Sequence, residues 1–191
     1  MKLLLSLIIT ASLFACAAPT PVSYYQLTVP PAVSVPEQNT ESTLSLVLQP
    51  VKVANYLNGA GLVMQRSEVE LVIASRHLWA DALDQQLYRL LVEQLQARLP
   101  EMPLASGRSI NSVQLQLTID RFHAKDNGMA IVSGHYTISS ATERLTEPFS
   151  YQQALAADGY AALVTALSVS WQQLMTDMIS RIEQHDLRSL P

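Results

Sequence analysis

Apolar and polar positions follow three different rhythms along this chain. Residues 3–15, LLLSLIITASLFA, are an unbroken uncharged run. Residues 44–50, LSLVLQP, alternate, with Leu44, Leu46 and Leu48 on one face and Val47 on the other, which is the period of a strand. Pro50 has no N–H to give to a ladder, so that strand ends or bends there. NGAG at 58–61 is loop, and LVMQR and VELVIA predict two strands joined by a tight turn at Ser67–Glu68. From Leu78 the rhythm changes to steps of three and four through Trp79, Leu83, Leu87, Leu90, Leu91, Leu95 and Leu99. This predicts an amphipathic helix with Ser75 as N-cap, Asp81 and Asp84 in the dipole-favoured first turn, and Pro100 as its stop. SVQLQLTIDRFHA returns to period two, KDNG at 125–128 is a turn able to take positive φ, and MAIVSGHYTISSA and EPFSYQQAL complete an antiparallel meander. A last helix begins after Asp158, read as its N-cap, with Tyr160, Leu163, Leu167, Trp171, Leu174, Met178 and Ile182 on one stripe, and runs to about Glu183.

Strands, a helix, three hairpin-connected strands and a second helix make an α+β fold. The expected architecture is a mixed or antiparallel sheet with two long amphipathic helices packed on it.

The N-terminal apolar run is too short to span a bilayer. Thirteen helical residues cover roughly 20 Å, against a hydrocarbon core of about 30 Å. With Lys2 ahead of it, the run reads as the apolar region of an export signal. Leu13, Phe14, Ala15 and Cys16 then form a lipobox: an apolar residue, a variable residue (here bulkier than usual), a small residue and cysteine. In that chemistry a diacylglyceryl group alkylates the thiol, the peptide is cut between Ala15 and Cys16, and the new amine accepts a further acyl chain such as palmitate. A free thiol on a secreted protein, or a disulfide to a partner, are the other fates open to a lone cysteine. Two or three acyl chains anchor firmly where one holds only marginally. An aspartate directly after the cysteine retains lipoproteins in the inner membrane; Ala17 stands there and points to the outer membrane, with the body in the periplasm.

Residues 17–43 hold five of the ten prolines and read as a tether. SYYQLTV interrupts it, and Tyr24, Tyr25, Leu27 and Val29 predict a short edge strand docking near 24–29. The Tyr24–Tyr25 pair is also a candidate for docking a partner by strand addition. The division is a signal at 1–15, the lipidated cysteine and tether at 16–43, and a single α+β domain at 44–191. A coil of the tether's 27 residues spans roughly 30 Å.

Composition removes several classes of function. The formal charge is −4 with no basic run, so nucleic acid is not an expected partner. Charged residues make up 15%, below the roughly 25% usual for soluble domains, which leaves room for neutral protein-contacting surface. His77, His123, His135 and His185 show no i, i+4 pairing, and zinc needs three or four converging ligands, so no metal site is expected. His123 and His135 flank the 125–128 turn and are the one pair with a chance to meet across it. Asp120, His123 and Ser133 can be drawn as a hydrolase triad on paper, but no nucleophile elbow surrounds the serine. NGAG lacks the Lys–Ser/Thr of a phosphate loop. Glu68/Glu70 and Asp81/Asp84 read as solvated faces and caps. Trp79 and Trp171 read as core on the two helix stripes, with a lipid-binding groove between helix and sheet as the alternative. No cofactor and no catalytic residue are expected.

The order of these pieces resembles a known family. A lipobox is followed by YYQL, then VKVANYLNGAGLVMQRSEVEL, then HLWADALDQQLYRLLVEQL, then a tryptophan-bearing C-terminal helix. This is similar to the PqiC (YmbA) family of ABC-type transport auxiliary lipoproteins, most specifically over residues 56–91. Where the family has Glu–Pro after Trp–Ala, this chain has Asp81–Ala82. The resemblance implies a non-enzymatic outer-membrane lipoprotein anchored through Cys16. Its implied partners are an MCE-domain protein reaching across the periplasm and that protein's inner-membrane component, in a system moving lipids between membranes and supporting envelope integrity. It also implies a possible homo-oligomer. Two other classes stay open on the residues alone: an assembly lipoprotein chaperoning an outer-membrane protein, and a periplasmic hydrolase.

Overall fold

The computed structural model describes residues 21–30, 44–107 and 111–184. Ala15, Cys16 and His185 lie outside the described residues, as does the signal.

Strand β6 (Ser112–Ala124) is the spine. Along one of its edges lie three successive short pieces, all parallel to it: β2 (Ser45–Leu48), β3 (Lys52–Val53) and β4 (Gly61–Gln65). Leu46 pairs with Val113, Val53 with Ile119 and Met64 with Ala124, so the chain climbs the spine in order. The interruptions are the ones the sequence carries. Pro50 ends the first piece, and a 3-10 turn at Asn55–Leu57 with the following glycine-rich loop separates the second from the third. On the other edge β6 pairs antiparallel with β7 (Met129–Ser139), which pairs with β8 (Arg144–Ala154). Gly128, at φ 75°, closes the β6–β7 turn. Beyond β4 the sheet continues to β5 (Leu71–Trp79) and then to β1 (Ser23–Tyr25), which is parallel to β5. The eight strands found among the described residues thus form one mixed sheet.

Helices α1 (Leu83–Arg98) and α2 (Tyr160–Gln184) pack on this sheet and touch each other, Arg98 Nη1 lying 3.4 Å from Thr176 Oγ1. Leu87, Leu91 and Leu95 of α1, Leu163, Trp171 and Met178 of α2, and Val113, Leu115, Leu117 and Ile119 of β6 share one core. β8 alternates along its whole length, exposing Thr146, Pro148, Ser150 and Gln152. This is the α+β fold expected, with two amphipathic helices on a mixed sheet.

The start of α1 departs from the expectation. Leu78 and Trp79 belong to β5, and the helix begins at Leu83 behind Ala82, so Ser75 caps nothing and sits mid-strand. Two strand-like partners hold Trp79 extended: its register position opposite Tyr25, and its N–H donated to the carbonyl of Ala60. The four-residue step from Trp79 to Leu83 is helical spacing by coincidence, because both residues reach the same core from different elements. Asp81 lies before the helix and accepts a hydrogen bond from the Ala82 N–H at 2.9 Å; Asp84 alone is in the first turn. At α2, Gly159 with φ 105° is the residue that immediately precedes the helix, and Asp158 is one position farther out.

Close approach between strands requires one glycine in particular. A Cβ on Gly134 would run into the carbonyl oxygen of Thr118, beside the register shift between Ile119 and Arg121. Overpacking of this kind costs about 1–3 kcal/mol. Gly134→Val is therefore expected to lower the unfolding free energy read from urea titration by that amount, while Gly59→Ala, which meets open space, leaves it within a few tenths of a kcal/mol of the parent.

Candidate functional site

The described N-terminal stretch does not hang from the body; it is laced into the seam between the helices and β5. Period two splits the tyrosine pair. Tyr24 points outward, 66% exposed, while Tyr25 turns inward. Tyr25 Oη and His77 Nδ1 are hydrogen-bonded at 2.9 Å, and the His77 ring stacks on Tyr160 at the start of α2, centroids 3.9 Å apart. Tyr25 also accepts the Ala80 N–H at 2.8 Å through its carbonyl. Past the strand, three extended backbone groups find helix side chains. The Leu27 N–H donates to Gln86 Oε1 at 3.1 Å, and Gln86 Nε2 donates in turn to the Asp81 carbonyl at 2.8 Å. The Thr28 N–H donates to Ser168 Oγ at 3.1 Å, whose hydroxyl donates to the Val164 carbonyl. Gln94 Nε2 reaches the Pro30 carbonyl at 3.4 Å. Leu27 is buried in the core beneath this clamp.

The three clamping side chains Gln86, Gln94 and Ser168 were not singled out by sequence reasoning. A signal existed: all three are buried polar residues on the inward stripes of their helices. Amides at such positions need partners, and an irregular backbone segment supplies them.

A second feature lies at the end of the sheet that carries the β4–β5 and β6–β7 turns. A depression of about 390 Å³ is lined by Tyr56, Glu68, Glu70, Asp120, Arg121 and His123, among others. Tyr56 donates its hydroxyl to the Asp120 carbonyl at 2.9 Å, and burial, reinforced by Asp120 against the opposing pull of Arg121, holds its phenol above the ordinary value. His123 is buried with Nδ1 2.9 Å from the Ala124 carbonyl oxygen, which makes Nδ1 the protonated nitrogen of the neutral ring. Burial is the main cause holding this imidazole below its usual value, with Arg121 and Lys125 pushing the same way. Across the molecule Tyr151 donates to Asp177 Oδ2 at 2.6 Å; burial first, and that carboxylate second, raise its phenol so that it stays a donor.

The catalytic sketch does not come together. His123 is opposite Ile131 and His135 opposite Thr118, so His135 stands four residues farther along β7, about 13 Å away at strand rise. Ser133 is opposite Arg121 and buried. Asp120, thrown outward at the register shift, lies 3.9 Å from His135 Nδ1 on the exposed face, not beside His123. No cluster of three or more His, Cys, Asp or Glu able to hold a metal occurs among the described residues. No described helix is long and apolar enough to cross a membrane. Trp171 is core as expected, on α2; Trp79 is core too, from β5.

A family model described as the ABC-type transport auxiliary lipoprotein component matches residues 25–179. The chain belongs to that family. The auxiliary-lipoprotein match opens on Tyr25, the residue that pins the N-terminal segment to His77. The chain is 34% identical over 169 residues to proteins named intermembrane transport lipoprotein PqiC from Escherichia coli K12 and from Shigella flexneri, covering 85% of this chain and 87% of each relative. Among solved structures, the crystal structure of an uncharacterized protein is 32% identical with a TM-score of 0.73, over 85% of this chain and 99% of that one. A Xanthomonas campestris protein shares the fold at a TM-score of 0.70 and 16% identity, over 87% of this chain and 100% of its own.

Two outcomes test the clamp and the buried ring. Gln86→Leu strands the Leu27 N–H in the interior; an orphaned buried donor costs about 1–3 kcal/mol, to be read from urea unfolding, and amide exchange at Leu27 quickens ahead of the β6 amides. For His123 the folded pKa lies below the unfolded value of 6.5, so the unfolded chain binds the proton more readily. The stability tied to this ring is complete above about pH 6.5 and is lost as pH falls below it. His123→Phe is expected to flatten the stability difference between pH 7 and pH 5 relative to the parent.

Proposed function

We propose that this auxiliary lipoprotein is a non-enzymatic subunit of an intermembrane lipid transport system, anchored in the outer membrane through acylated Cys16 with its body in the periplasm. There it docks an MCE-domain component that arrives from the inner membrane and so supports envelope integrity. The observation that carries the reading is the 34% identity, across 85% of the chain, to proteins named intermembrane transport lipoprotein, behind a lipobox cysteine. The scattered positions of Asp120, His123 and Ser133 favour a binding subunit over a hydrolase.

The clamp changes the mechanics of such an anchor. The body begins at Ser23, the first residue of β1, only seven residues after Cys16. Seven residues extend to at most about 25 Å, so the body is held close to the bilayer and the partner must cover the rest of the distance. Tyr25 is occupied by its own sheet, which leaves exposed Tyr24 as the tyrosine open to a partner.

Two measurements test the proposal in cells. Cys16→Ala is expected to move the protein from the membrane fraction to the soluble periplasmic fraction. A photocrosslinking residue in place of Tyr24 is expected to capture an MCE-domain protein; capture of an outer-membrane barrel instead would move the chain to the assembly-chaperone class.

A further inference from the structure

The β4–β5 hairpin exposes large apolar side chains among the charged residues of its turn, Arg66, Glu68 and Glu70. Val69 at its tip is 95% exposed, and Leu71 and Ile73, the next residues on the same side of β5, are 43% and 51% exposed. The outer edge of β5 pairs with β1 only at residues 77–79, so residues 71–75 have no strand beside them on that edge among the described residues. β1 runs parallel to β5 with Ser23 opposite His77, so the chain that leads into β1 comes from the hairpin's side. His77 stands six residues from Leu71, about 20 Å along the strand. The seven residues from Cys16 to Ser23 extend to at most about 25 Å. Fully extended, that link would bring an acylated Cys16 level with Leu71, two residues short of Val69, with its acyl chains extending beyond.

We infer that the β4–β5 hairpin, through Val69, Leu71 and Ile73, seats in the surface of the bilayer next to the acyl chains, giving the anchored body a second contact and a fixed orientation. The inference rests on the anchoring reading above. Charge agrees with an apolar seat and not an electrostatic one. Around this end Arg66 and Lys125 stand against Glu68, Glu70 and Asp126, and Arg66 is paired with Glu70 at 3.0 Å. The contact should form on neutral lipid. A body on a tether this short must turn one face to the membrane; among the described residues the hairpin carries three of the exposed large apolar side chains, with Val22 and Tyr24 exposed nearer the tether itself. Three clustered apolar side chains at a surface turn suit an interface of lipid tails and headgroups.

The sole natural cysteine makes the test clean, because acylation of Cys16 leaves an added cysteine as the only free thiol. The lipidated protein carrying Val69→Cys is labelled with an environment-sensitive fluorophore and reconstituted into phosphatidylcholine vesicles. Ala141→Cys, in the exposed turn between β7 and β8 at the opposite end of the sheet, is the control. The expected result is emission at position 69 that rises several-fold, shifts to the blue and is quenched by brominated lipid, with position 141 unchanged. Adding Leu71→Asn to the Val69→Cys protein should cut that rise by at least half. If the protein floats with vesicles but both probes report water, anchoring stands and the hairpin seat is wrong. If position 69 is shielded equally without vesicles, another part of the chain or a second copy covers the tip and the inference is overturned. If the protein does not float and Cys16 carries no lipid, the anchoring reading fails and the seat falls with it.

Discussion

Strand β6 is the constraint from which the rest of the fold follows. Its inward residues Val113, Leu115, Leu117 and Ile119 are fully buried, and each such side chain contributes about 1.5–3 kcal/mol when removed from water. A slip of one residue would turn all of them outward at once. Both edges of the strand are occupied, by the stepped series of β2, β3 and β4 on one side and by β7 on the other. The register shift after Ile119 pushes Asp120 out to solvent and lets Phe122 and Ala124 rejoin the core. That single irregularity also sets where Gly134 must sit and why Asp120 meets His135 and not His123.

The helices complete the core and do a second job with it. Their inward stripes carry Gln86, Gln94 and Ser168, whose polar atoms have no use for a hydrocarbon interior unless something polar comes to them. What comes is the backbone from Tyr25 to Pro30, a segment too irregular to satisfy itself. Each side removes the other's penalty, so the clamp is specific: an apolar stripe would leave the segment's amides orphaned, and a detached segment would leave the glutamines so. The stack of His77 on Tyr160 joins β5 to α2 at the same seam and ties the N-terminal strand to the last helix.

Local rhythm made most of the elements legible in the sequence, and pairing at a distance decided what was not. The β6–β7–β8 meander and the stripe of α2 read directly, because their patterns are long and each neighbour follows the last. Trp79 misled because a helix and a strand ending over the same core can share a four-residue step. Lys52–Val53 is too short to show a period, and it is a strand only because β6 runs beside it. The clamp was half visible: the apolar residues of SYYQLTV announced a docking strand, but Gln86 and Ser168 act on partners 59 and 140 residues away. The two histidines beside the β6–β7 turn were close in sequence and were kept apart by the ladder's register.

Where the fixed part of the chain begins matters more to function than any single side chain in it. A free tether of 27 residues would let a body wander over roughly 30 Å in every direction, with orientation averaged away. With the clamp, the free link on the anchored reading shrinks to the residues between Cys16 and Ser23. Shortening a link raises the local concentration of the body at the membrane and, more important for docking, limits the angles at which it can stand. On the proposed reading, a partner crossing the periplasm would meet a surface whose height and tilt the short link restricts, and less of its binding energy would go into ordering that surface. The cost falls on stability, since two backbone amides and a carbonyl of the clamp depend on three helix side chains, and that dependence joins the core of this domain to its proposed work at the envelope.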